Sequence, residues 1–203
     1  MPETLYNPAY EHDSCGIGFV AHIRGQKSFN IVNRGLDILQ NMKHRGAESA
    51  DNKTGDGAGI LTQIPHFMYV REGLSLPGPG QYGTGLIFLP RQEKEAGQCL
   101  QWLEEIVRKQ NLTVLSYRKI AVDPSSLGEI ALQSEPAISQ IFIKGDMEED
   151  ELERQLYLVR KQIEKKVCRS GLKEKNLFYI PSLSTSTIIY KGMFTPDQLR
   201  SYY

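Results

Sequence analysis

Cys15 is followed by Gly16-Ile17-Gly18 and preceded by Ser14. If the Ser14–Cys15 bond is cut, Cys15 acquires a free α-amine beside its thiol. An α-amine titrates at roughly 8, close to working pH, so it can take the thiol proton itself. Nucleophile and base then belong to one residue and no histidine is needed. This is the cysteine counterpart of a threonine activated by its own terminal amine. The flanking glycines would let substrate and backbone approach closely. The competing reading is a small, buried, unreactive cysteine, the usual fate of a free thiol.

The second chemical cluster is His44-Arg45-Gly46 with Thr54-Gly55-Asp56-Gly57-Ala58-Gly59. An arginine between small residues can reach a carboxylate or hold neighbouring backbone with several donors. The same composition also describes a solvated turn. The glycine spacing does not make a dinucleotide fingerprint: G-x-G-x-x-G needs glycine at Ile60, and a strand follows where a helix should. Ser170-Gly171-Leu172-Lys173 matches S-x-x-K by letter, without companion motifs and at the end of a helical pattern. The acidic run Glu148–Glu151 sits at a helix start, where it suits the helix dipole without a metal. Tyr82, Phe88, Trp102, Tyr157, Phe178 and Tyr179 are read as core.

These residues must be held by a framework of ordinary make-up. The 203 residues carry 24 basic and 24 acidic side chains, and 40% are hydrophobic. That balance favours neither a nucleic-acid surface nor a membrane as partner. Cys15, Cys99 and Cys168 are odd in number and far apart, which argues against a disulfide framework or zinc knuckle. Cys99 and Cys168 fall in helical patterns among apolar residues and are expected to be buried. No apolar run is long enough to span a bilayer, and the first fourteen residues lack a signal-peptide pattern; a reducing, cytoplasmic setting is expected.

Residues 1–14 read as a leader. CGIGFVAHI reads as a buried strand with a close approach at its start. Ser28 is placed to cap a helix bearing Ile31, Leu36, Leu39 and Met42 on one face. The polar, glycine-rich stretch from His44 to Gly59 is a loop. GILTQIP and TGLIFLP are strands flanking the turn LPGPGQYG. A helix over RQEKEAGQCLQWLEEIVRKQ presents Ala96, Leu100, Leu103 and Val107. TVLSYRKIAV, AISQIFIK, NLFYIP and TSTIIYKG are strand-like. A long helix over DMEEDELERQLYLVRKQIEKKV turns Leu152, Leu156, Val159, Ile163 and Val167 inward. Thr195-Pro196-Asp197 begins a last helix. Strands grouped between helices predict a layered α+β domain rather than a doubly wound sheet.

CGIGF, HRGA and TGDGAGIL before QIPH, continued by PGPGQYGTGLIFLP, EPAISQIFIKG, ERQLYLVRKQIE and SLSTSTIIYKGMF, resemble the glutamate synthase family. More widely they resemble class II glutamine amidotransferases of the N-terminal-nucleophile hydrolase fold. The resemblance covers essentially the whole chain after the leader. It implies an α+β four-layer αββα sandwich, incomplete at the C-terminus. Residues 1–14 would be a propeptide, and 15–203 the N-terminal portion of the amidotransferase domain.

By that resemblance Cys15 attacks the side-chain amide of glutamine and releases glutamate and ammonia, with Arg45 supporting the nucleophile's surroundings. Ammonia would then pass to 2-oxoglutarate in a separate domain. FMN and an iron–sulfur cluster are implied for the full-length parent and none for this segment. The implied partners are the rest of the large subunit and a small subunit.

The family's H-S-R-F-S-T-N and H-N-G-E-I-N blocks, which carry the substrate-carboxylate arginine and the oxyanion hole, are not in these residues. Substrate-binding residues are therefore expected beyond Tyr203. Loss of the oxyanion hole removes roughly 3–4 kcal/mol of transition-state stabilisation, so the isolated chain is expected to turn over little. Two alternatives stand beside this reading. One is a non-catalytic assembly remnant with Cys15 unprocessed. The other is an amide hydrolase of the same fold that does not use glutamine.

Overall fold

The computed structural model describes residues 16–203. Ser28 accepts a hydrogen bond from the Ile31 amide at 3.4 Å and starts α1 (Phe29–Asn41). A single 3₁₀ turn, Lys43–Arg45, follows. Then come β1 (Ala58–Gln63), α2 (His66–Arg71), β2 (Tyr82–Leu89), α3 (Glu93–Lys109) and β3 (Leu112–Lys119). After α4 (Glu129–Gln133), β4 (Ala137–Gly145), α5 (Glu149–Cys168) and β5 (Thr187–Gly192) the described chain ends with α6 (Gln198–Tyr202).

All strand pairing is antiparallel. β1 and β5 form a two-stranded ribbon with Ile60 opposite Tyr190. The second sheet has the order β2-β4-β3, with Leu86 opposite Gln140 and Tyr117 opposite Ile141. A bulge interrupts β3 between Val114 and Ser116. Period-two alternation sorts β2 between two clusters. Ile87 and Leu89 meet α3 and α5, while Leu86 and Phe88 meet Ile188 of β5. Every residue of β2 is buried, because both faces of the sheet are covered.

The largest core lies between this sheet and the helix pair α3/α5. The stripe Leu152, Leu156, Val159, Ile163 and Val167 faces inward, as its spacing predicts. Acidic residues in the first turn of α5 and Lys165 and Lys166 in its last turn complement the helix dipole. Leu156 fills the space left by Gly83, where an added Cβ would overlap its Cδ1. On the ribbon side, α1 packs against β1, and Leu36 and Leu39 join a cluster around Ala58, Phe194, Leu199 and Tyr202. The contacts thus run α3/α5, three-stranded sheet, ribbon, α1: helix, sheet, sheet, helix.

Several sequence expectations are corrected. Residues 16–22 are neither a strand nor buried; Ile17 and Phe19 are each 90% exposed. An apolar run becomes a strand only where an edge accepts its backbone groups, and this segment instead lies along α1. NLFYIP is a 3₁₀ turn, Lys175–Leu177, followed by one bridge from Tyr179 to Phe88. Tyr157 and Tyr179 are exposed. Cys168 is exposed as well: it follows Val167 by one residue and so points well away from the buried stripe. Cys99 is buried, as expected. The short helices α2 and α4 are too brief to show a period in the sequence.

Candidate functional site

Residues 45–57 form a small hairpin. Its rungs are the Asp56 amide donating to Ala47 O at 3.1 Å, the Glu48–Gly55 bridge, and the Ser49 amide donating to Thr54 O at 2.8 Å. Asn52 turns the tip with φ 52°, a left-handed conformation that asparagine tolerates. At the open end, Arg45 donates its amide to Met42 O at 2.8 Å, and Gly46 donates to Lys43 O. Gly46 and Asp56 face one another: a Cβ on Gly46 would stand 3.3 Å from Asp56 Oδ1.

Gly16 enters at this open end. A Cβ there would lie 3.2 Å from Met42 Sδ and 3.4 Å from Arg45 Cβ. The structure therefore brings together Gly16, the Arg45 turn and the Asp56 loop, which the sequence separates by two stretches of chain. Cys15 itself lies outside the described residues. Arg45 is exposed. Lys43, two residues before it, pairs with Asp197 at 2.9 Å across to α6.

The hairpin tip is anchored by Thr54 of the glycine-rich motif together with Asp51 and Gln198, which lie outside it. Thr54 is fully buried; its hydroxyl donates to Asp51 Oδ2 and accepts from the Ala131 amide at 3.2 Å. Asp51 Oδ1 accepts from the amides of Thr54 and Lys53 at 2.7 and 3.0 Å. These donors, the Thr54 hydroxyl first, hold the Asp51 carboxyl well below the usual carboxylate range. Gln198, nearly buried, donates to Lys53 O at 2.8 Å and Ser126 O at 2.6 Å, and accepts from the Thr195 amide. The local signal was present in Asp51-x-x-Thr54, a spacing that favours side-chain-to-backbone turns. Gln198 carries no such signal.

Two glycines make the remaining path possible. At Gly55 a Cβ would overlap the Phe194 carbonyl, and Gly57 has φ +134°. Beyond them opens a cleft of about 750 Å³, lined by Asp56, Gly57, Glu135, Lys191, Phe194 and Tyr202 among others. The Lys191 ammonium sits 5.0 Å above the Tyr179 ring, and Tyr202 OH donates to Glu135 at 2.7 Å. Ser170, of the S-x-x-K string, caps α5 instead: its hydroxyl donates to Val167 O at 2.7 Å.

This layered α+β fold, with its antiparallel sheets and its glycine-rich hairpin, belongs with known amidotransferases. The family model described as glutamine amidotransferases class-II matches residues 15–203, and the chain belongs to that family. Among curated relatives, the chain is 38% identical over 210 residues to the glutamate synthase (NADPH) large chain of Bacillus subtilis, covering 100% of this chain and 14% of that protein. It is 40% identical to the glutamate synthase (NADH) of Saccharomyces cerevisiae, covering 98% of this chain and 10% of the yeast protein. It is 37% identical to the ferredoxin-dependent glutamate synthase 2 of Synechocystis, with 95% and 12% covered. The chain thus spans about a tenth to a seventh of the length of these relatives. Among the described residues no helix is long and apolar enough to cross a membrane.

Proposed function

We propose that this chain is the glutamine-hydrolysing part of a glutamate synthase, with Cys15 as the nucleophile, freed by removal of residues 1–14. The observation that carries this reading is that the family match opens at Cys15. The packing of the next residue, Gly16, against Arg45 supports it. In the proposed reaction the α-amine takes the thiol proton, and the sulfur attacks the side-chain carbonyl carbon of glutamine. The C–N bond breaks, the amine returns the proton to the departing nitrogen, and ammonia leaves a thioester. Water then attacks the thioester, releasing glutamate and restoring the thiol. Arg45 supports the surroundings of the nucleophile through its contact with Gly16.

In the parent, the ammonia would be used to convert 2-oxoglutarate to glutamate on the remainder of the large subunit, working with a small subunit. FMN and an iron–sulfur cluster would supply the electron chemistry there. The described cysteines do not fit a cluster: Cys99 is in the core and Cys168 is on the outside of α5.

The test is intact mass before and after exposure to a glutamine-analogue electrophile that alkylates thiols. A mass beginning at Cys15 with one adduct mapped there supports the reading. A mass retaining the leader and free of adduct counts against it and favours a non-catalytic role. An adduct blocked by some other amide but not by glutamine favours a different amide hydrolase.

A further inference from the structure

The hairpin 45–57 is fastened at one end and free to present residues at the other. Its fastened end is Thr54, whose side chain is fully buried away from the main α3/α5 core. The hydroxyl both donates to Asp51 and accepts from the Ala131 amide, so it joins the tip to the first turn of α4. Ala131 belongs to the cluster that includes Ala58, the first residue of β1. Next in the chain, Gly55 lies under the Phe194 carbonyl with no space for a side chain, which prevents the strand from sliding. The following residue, Asp56, then holds Ala47 by its amide and stands against Gly46. Each step is a single hydrogen bond or close contact, so the position of Thr54 is passed along the hairpin to the Arg45–Gly46 turn beside Gly16.

We propose that Thr54 is a positioning residue for the chemistry at Cys15, acting through the hairpin that carries Arg45 and Asp56. The proposal rests on the glutaminase reading above. Thr54 touches no reacting atom; its hydroxyl sets the register of the hairpin, and the hairpin sets where Arg45 meets Gly16. Removing the hydroxyl while keeping the β-branched shape takes one donor from the half-buried Asp51 Oδ2, which keeps the Ile130 amide at 3.4 Å, and takes from the buried Ala131 amide its acceptor on Thr54. The hairpin then gains alternative positions while the α3/α5 core is untouched. Displacements of about 1 Å at a reacting centre can cost up to about a hundredfold in rate.

The experiment compares the full chain with Thr54→Val and Thr54→Ser. Three readouts are taken: the rate at which the glutamine analogue diazo-oxo-norleucine labels Cys15, the rate at which iodoacetamide labels it, and amide hydrogen exchange. Thr54→Val should slow analogue labelling by about tenfold or more and leave iodoacetamide labelling close to that of the native chain. Exchange at the Ser49 and Asp56 amides should quicken while Ile141, in the central strand, stays protected. Thr54→Ser should restore both. Native analogue labelling in Thr54→Val overturns the proposal. So does a loss of protection that extends to Ile141, which would mark a general structural role. If the native chain takes no analogue at Cys15, the glutaminase reading fails by itself. The exchange arm then decides the anchoring: unchanged exchange at Asp56 overturns it, and faster exchange confined to the hairpin supports it.

Discussion

The stem of Arg45 packs on Gly16, so that a methyl group on Gly16 would stand 3.4 Å from Arg45 Cβ and 3.2 Å from Met42 Sδ. The 3.4 Å separation is ordinary contact, whereas 3.2 Å is tight enough that Met42 would have to yield. Gly16→Val should therefore push the segment off the Arg45 turn, and Arg45→Ala should remove the surface it rests on. Either change is expected to lower labelling of Cys15 by a glutamine analogue, by about ten- to a hundredfold. Arg45→Lys keeps the aliphatic stem and should fall between. Peptide mapping of the adduct with time checks all three.

Leu156 occupies the hollow above Gly83 and is fully buried between α5 and β2. Leu156→Ala removes that filling from a core that also holds Ile87, Leu103 and Ile143. A loss of about 2–5 kcal/mol of stability is expected, spread by how far the site can collapse. Gly83→Ala should also destabilise, through overlap with the Leu156 Cδ1. Urea unfolding followed by circular dichroism measures both.

Asp51 makes the fold sensitive to acid in a defined direction. Hydrogen bonds from the Thr54 hydroxyl, and from the amides of Thr54, Lys53 and Ile130, hold its carboxyl far below the ordinary range. The unfolded carboxyl titrates at about 3.9, so the folded value is the lower of the two. The stabilisation is then complete above the unfolded value and is lost as pH falls toward the folded one. Asp51→Asn should lower the urea midpoint by a constant amount from about pH 7 to about pH 5, and the gap to the native chain should narrow below about pH 4. A gap that widens on acidification would contradict this.

The two described cysteines should behave differently toward thiol reagents. Burial, with the nearby Glu95 carboxylate, pushes the Cys99 thiol up to about 11. Near neutral pH that leaves on the order of a hundredfold less thiolate than an ordinary cysteine at about 8.5. Cys168 is exposed at the end of α5. Under native conditions a chromogenic disulfide should modify Cys168 and spare Cys99, and denaturant should release Cys99. Mass mapping of the modified peptides distinguishes the two.

Legible in the sequence were α1 with its Ser28 cap, both long helices, the inward stripe of α5 and the five strands of the described residues. Those features depend on residues close along the chain: a cap with the amide three residues on, or a period of apolar side chains. The ordered motifs from CGIGF to YKGMF likewise determined the family, because order along a chain is itself a sequence property.

What those elements touch was set by packing between distant parts of the chain. Cys168 looked as apolar in its surroundings as Cys99, yet one residue of helical rotation after Val167 turned it outward. CGIGFVAHI had a strand's composition, but residues 16–22 found no edge to pair with and stayed exposed. Thr54 read as part of a solvated loop, yet it is buried because Gly128, Ala131 and Gln198 arrive from far along the chain. The Gln198 side chain reaches Lys53 across 145 positions. Local propensity and periodicity carry no record of such meetings; they are settled when the sheets and helices pack and every buried polar group must find a partner.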